Sequence, residues 1–159
     1  MMGRITFLSL IGLTFGVIGV SGQEGSIQAE LDAFWSEVVL SVEDWDVSAQ
    51  RATYHPDAIA VSGDSVSYRT RLMAELFAEV VGTSQTPSNP RLAFRFSARV
   101  HDLNTAHEVG VYRFSADGQE PFYGGLDSYL IRKGGQWLIL VEIQRREGLS
   151  EAEWDALGG

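Results

Sequence analysis

The 159-residue chain contains no cysteine. Disulfides, thiolate metal sites, cysteine nucleophiles and lipid attachment through an N-terminal cysteine are thereby excluded. Basic residues are scarce: 12 Lys and Arg stand against 21 Asp and Glu, a formal net charge of −9. Nucleic acids and anionic membrane surfaces are bound by clustered Lys and Arg, so neither is an expected partner. The acidity reads as solubility. His55, His101 and His107 have no metal-like spacing, and no metal is expected. Gly-x-Ser-x-Gly, Gly-x-Gly-x-x-Gly and P-loop motifs are absent, so serine hydrolase, dinucleotide and P-loop nucleotide readings lose their usual support, and no cofactor is implied.

One long uncharged run is present, Ile5 to Val20, after Arg4 and before Ser21-Gly22. A basic start, an apolar stretch and small residues at its end describe a signal peptide over residues 1–22, cleaved after Gly22. The competing reading is an uncleaved anchor, but the run falls short of the ~20 residues of a membrane-spanning helix. Cleavage would leave 137 of the 159 residues, a single domain over 23–159, and a charge of −10 because only Arg4 is lost. The expected product is exported, periplasmic or extracellular, with no stable membrane insertion.

The mature part divides into a helical half and a strand half. Ile27, Leu31, Phe34, Val38 and Val42 recur at helical spacing, with Trp35 beside them, which predicts a helix over about 27–42 capped by Ser26. A second helix is expected from Asp46, a good N-cap, to near Tyr54, stopped by Pro56. Ile59–Ser62 and Val66–Tyr68 read as a small hairpin around Gly63-Asp64, and Thr70–Val81 as a third helix. After the loop Thr83–Pro90, four strands follow: Arg91–His101, Ala106–Phe114, Phe122–Ile131 and Trp137–Arg145, with Asp117-Gly118 and Gly134-Gly135 at turns. Ser150–Leu157 predicts a last helical turn or two with Ser150 and Glu153 in a capping box. Strict alternation sends Leu92, Phe94, Phe96, Ala98 and Val100 to one face of the first strand and Arg95, Ser97, Arg99 and His101 to the other.

The order and local sequence resemble the nuclear transport factor 2-like superfamily, in particular its SnoaL-like branch. The residues that carry the likeness are Asp46-Val47-Ser48-Ala49-Gln50 after the first helix, Tyr54-His55-Pro56-Asp57-Ala58 before the first strand, Gly63-Asp64 at the hairpin, Arg69–Val80, and the closing Tyr129–Ile139 with Gly134-Gly135 and Trp137. The resemblance implies an α+β fold: a cone-shaped, curved antiparallel sheet packed on about three N-terminal helices, with a pocket open at one end. It also implies a homodimer. Members include isomerases, cyclases, epoxide hydrolases and dehydratases, and many members bind without catalysis; the fold does not choose among them.

The residues offer their own candidates. Glu142 interrupts the apolar run Leu138–Ile143, on the side of Leu138, Leu140 and Gln144 if alternation is strict, and a buried carboxylate can serve as acid or base. Its competing reading is a strand end, or a partner such as Arg95, Arg99 or Arg113. Asp127 sits among Tyr123, Gly125, Tyr129 and Ile131, a polar group in an aromatic setting that, like Glu142, is a candidate catalytic base with Tyr112 or His55 as hydrogen-bond donor; a cross-strand salt bridge is the alternative. Whether Asp127 and Glu142 share a face depends on pairing register. His55 is a hydrogen-bonding candidate at the end of the second helix; His101 and His107 are expected to be exposed. Trp35, Tyr54, Phe94, Tyr112, Tyr123 and Gln144 are candidate pocket residues, and Asp46 is a cap with a lesser claim to chemistry. Both faces of the 106–114 and 137–145 strands are apolar, which asks for a cover: a second copy, or the tail with Trp154 and Leu157. Three functions stay open: a small-molecule-binding domain without catalysis, a cofactor-free acid–base enzyme on a small apolar substrate, or a protein-interaction module.

Overall fold

The computed structural model describes residues 20–63, 69–72, 88–145 and 149–158. The first element, α1, spans Val20–Glu43 and buries Ile27, Leu31, Phe34, Trp35 and Val38 along one stripe. It begins seven residues before Ile27, the expected start. It ends where Trp45 takes a left-handed φ of 53° and the Asp46 N–H reaches back to the Ser41 carbonyl at 2.8 Å. That closing bond is the Schellman pattern, with a tryptophan where glycine is usual. Asp46 then caps α2 (Val47–Ala52), its Oδ1 accepting from the Ala49 N–H at 2.9 Å.

The strands are β1 (Tyr54–Gly63), β2 (Arg69–Leu72), β3 (Arg91–His101), β4 (Thr105–Ser115), β5 (Phe122–Lys133) and β6 (Gln136–Arg145), and α3 (Glu151–Ala156) follows. They form one sheet in the order β2-β1-β6-β5-β4-β3. Among the described strands the β1–β6 pairing is parallel and the others are antiparallel. Gly134 and Gly135 both have positive φ, 61° and 84°, which gives β5 and β6 a two-residue turn that follows the sheet twist. Helix α1 lies across the inner face of this sheet, and the core between them includes Leu31, Leu130, Trp137 and Ile139.

Two further assignments differ from the sequence reading. The second helix stops at Ala52, so Tyr54, His55 and Pro56 belong to β1. The proline is tolerated because the β1–β6 ladder is irregular between Tyr54 and Ile59, where no N–H is demanded of it. Residues 69–72, expected to lead into a helix from Thr70, pair with β1 as a strand. The remainder of that helix and the strand Val66–Tyr68 lie outside the described residues. No described helix is long and apolar enough to cross a membrane.

Two bulges set which side chains face inward. Between Phe96 and Ala98 the β3–β4 register slips, with Ser97 as the extra residue; between Tyr129 and Leu130 the β5–β6 register slips, with Leu140 extra. A bulge inserts one residue and reverses the side-chain parity beyond it. Ala98 and Val100 therefore turn outward, Val100 being 68% exposed, and Arg99 turns inward opposite Glu108. On β6 the inward residues are Trp137, Ile139 and then Glu142, not one unbroken alternation. Strict alternation had put Arg99 opposite in sense to Phe94, and Glu142 opposite to Ile139; the bulges correct both.

Candidate functional site

One end of the inner face remains open as a cavity of about 230 Å³. Its walls are aromatic and aliphatic: Trp35, Leu92, Phe94, Tyr112, Phe122 and Leu126. Trp35 projects from α1 onto Phe94 and Phe96, with ring centroids 4.8 and 5.3 Å away. Tyr112 is set against Gly124, its cross-strand partner, where a Cβ would come within 2.3 Å of the ring. Glycine at 124 is thus what lets the Tyr112 ring lie flat on β5.

The polar groups converge at one wall. Glu142, 4% exposed, receives the Tyr54 hydroxyl on Oε2 at 2.9 Å and the Gln144 side-chain amide on Oε1. All three line the cavity. No arginine, lysine or histidine is paired with Glu142 among the described residues. Burial pushes its carboxyl above the usual glutamate range, against the pull of the two hydrogen bonds. Burial, and then the Glu142 charge, hold the Tyr54 phenol well above its ordinary value, so Tyr54 stays a donor. A carboxylate has about four acceptor sites, and the described residues take two of them.

A second buried carboxylate lies on the same face. Glu108 is 0% exposed; it accepts from the Trp35 indole Nε1–H and from Arg99 Nε at 2.6 Å. Arg99 continues to Asp32 on α1, so an acid–base–acid chain ties the helix to β3 and β4. Burial works against the Arg99 charge, and Glu108 and Asp32 more than offset it. Sequence reasoning passed over Glu108, although its parity with Tyr112 on β4 was the available signal.

The candidate residues separate by face. Trp35, Tyr54, Phe94, Tyr112, Glu142 and Gln144 surround the cavity. Asp127, paired with Ile143 in register, points to the outer face; there it meets His107 Nε2 at 2.8 Å and Arg145 at 3.2 Å, the salt-bridge alternative. It does not share a face with Glu142, whose register partner is Ser128. His107 is not free in solvent but stacks on Tyr129 at 4.1 Å. Tyr123 also faces outward, toward Trp154 of α3 at 6.3 Å, because its parity on β5 is that of Asp127. His55 is one residue out of phase with Tyr54; its Nδ1 accepts from the Asp57 N–H at 3.2 Å and its Nε2 lies 3.1 Å from Lys133 Nζ. Neither His55 nor Asp127 reaches Glu142. Asp46 borders a separate, larger groove of about 750 Å³ between α1 and the β5–β6 turn, and serves there as the cap of α2. No group of three or more potential metal ligands is found among the described residues.

No model of a known protein family matches the sequence, and no curated protein matches it. Solved structures do match. A protein of unknown function from Mycobacterium tuberculosis aligns over 87% of this chain and 82% of its own, at 15% identity and a TM-score of 0.68. A nuclear transport factor 2-like protein of unknown function from Shewanella oneidensis aligns over 75% and 98%, at 12% identity and 0.63. A protein of unknown function with a cystatin-like fold from Nostoc punctiforme aligns over 79% and 94%, at 11% identity and 0.60. At such identities the likeness carries the fold alone, and it does not single out the SnoaL-like branch. By its sheet order, its helices and these neighbours, the chain has the nuclear transport factor 2-like fold, an α+β cone.

Proposed function

We propose that the protein binds a small, largely apolar molecule in the inner cavity and anchors it by a hydrogen bond donated to Glu142. The observation that carries this reading is a buried carboxylate with spare acceptor sites, unpaired with any described cation, at the polar end of an aromatic-walled cavity. Few convergent polar groups in a mostly apolar hollow are the usual make-up of small-molecule sites. The volume suits a ligand somewhat larger than benzene, which a cavity of ~150 Å³ can hold.

A second reading, cofactor-free acid–base catalysis in the same cavity, is favoured by the upward shift of Glu142, with Tyr54 as neighbouring donor. The SnoaL-like branch is in keeping with either. The outer sheet face supports a homodimer: Val100, Tyr129 and Ile59 are exposed there, while α3 packs at the end near Tyr123. Export rests on the N-terminal sequence, tested by N-terminal sequencing of the protein made in a bacterial host.

The binding reading is tested with matched probes that differ by one donor, phenol against toluene, in calorimetry. The wild type should prefer phenol, and Glu142→Leu should erase the preference while the fold is kept. An equal affinity for both probes in the wild type would overturn it.

A further inference from the structure

Ser128 is fully buried, and its hydroxyl has no hydrogen-bond partner among the described residues. On β5 it stands in register with Glu108 of β4 on one side and Glu142 of β6 on the other, so the three form one inward row across the sheet. Directly opposed residues in antiparallel strands have Cβ atoms roughly 4.5–5.5 Å apart. A buried hydroxyl is rarely left unpaired. Both flanking carboxylates have spare acceptor sites, since each accepts two hydrogen bonds from the described residues. Charge is uneven along the row. Glu108 is compensated by Arg99, which Asp32 of α1 also holds, and is fixed further by the Trp35 indole. Among the described residues, Glu142 meets only the neutral donors Tyr54 and Gln144.

We propose that Ser128 is a positioning residue of the site: its hydroxyl accepts from protonated Glu142 and donates to Glu108, so that the Glu108–Arg99 pair governs which protonation state Glu142 presents to the cavity. The direction follows from the charges. Glu108, ion-paired with Arg99, is the acceptor; Ser128 passes the polarity on; Glu142 gains an acceptor for its proton. The Ser128 side chain has three staggered positions about its one rotatable bond, and the proposal requires one that brings its hydroxyl between the two carboxyls. The inference rests on Glu142 as the polar anchor of the cavity, but its test needs no ligand.

The experiment is a carbon-13 NMR titration of the glutamate carboxyls in the full chain, wild type against Ser128→Ala. The expected result is a lower Glu142 midpoint in the variant, because its protonated form loses an acceptor. Glu108→Gln in the otherwise wild-type chain should also lower the Glu142 midpoint, and by less when added to Ser128→Ala. Ser128→Cys, a slightly larger side chain with a weaker donor, is titrated in the same way if the alanine variant does not fold. A Glu142 midpoint unchanged on loss of the hydroxyl overturns the proposal. Failure of the probes to bind would overturn the binding reading alone, so the two failures are distinct.

Discussion

Replacing Glu142 by Gln should stabilise the protein near neutral pH and not near pH 4. The carboxyl is buried and titrates above its ordinary range, chiefly because burial penalises its charge. Between the unfolded midpoint, ~4.3 for glutamate, and the higher folded one, the native state holds more protons than the unfolded chain. Stability of the wild type therefore falls as pH rises through that window and is flat above it. The loss is about 1.4 kcal/mol for each unit by which the folded midpoint exceeds the unfolded one. Gln cannot ionise, yet its amide can still meet Tyr54 and Gln144, so the variant escapes this loss. Urea unfolding of both proteins from pH 4 to 8, followed by fluorescence and circular dichroism together, gives the difference. Other titrating groups cancel in it to first order. The difference should move in favour of Glu142→Gln as pH rises and then level off. A pH-independent difference, or one that moves in favour of the wild type, would refute the claim that Glu142 is buried without a compensating cation.

Other perturbations follow from the same geometry. Arg99→Met should destabilise by about 3 kcal/mol, because it leaves Glu108 buried without its cation; adding Glu108→Leu should restore much of that in urea unfolding. Gly124→Ala should drive the Tyr112 ring into the cavity, with a loss of ~1–3 kcal/mol typical of overpacking and weakened probe binding by calorimetry. Asp102→Ala should lower the melting temperature by removing the acceptor of the Asn104 and Thr105 N–H groups. Those bonds hold the Asp102 carboxyl below its usual range, so the deficit should shrink as pH falls below about 3.9.

The strand meander, the first helix and the Gly-Gly hairpin were legible in the sequence because they depend on local periodicity and turn chemistry. Alternation along β4 and β5 held from end to end, so Tyr112 could be put on one side of the sheet from sequence alone. Along β3 and β6 it failed midway. Nothing about Ser97 or Leu140 announces a bulge, since bulges answer to the curvature of the whole sheet. Those two residues decide that Arg99 and Glu142 face inward. The same long-range cause hid the start of β1: Pro56 reads locally as a helix stop, while the parallel pairing with β6 draws Tyr54 into the sheet. Register, which periodicity cannot supply, separated Asp127 from Glu142.

The central claim is that the cavity beside Glu142 takes a small molecule, and the most direct measurement is where a bound probe sits. Methyl and aromatic NMR of the full chain with phenol should show shifts and probe contacts at Val38, Leu92, Leu126 and Tyr112, and the Glu142 carboxyl should respond with them. Contacts confined to the outer face, at Val100, Tyr129 and Ile131, would contradict the account.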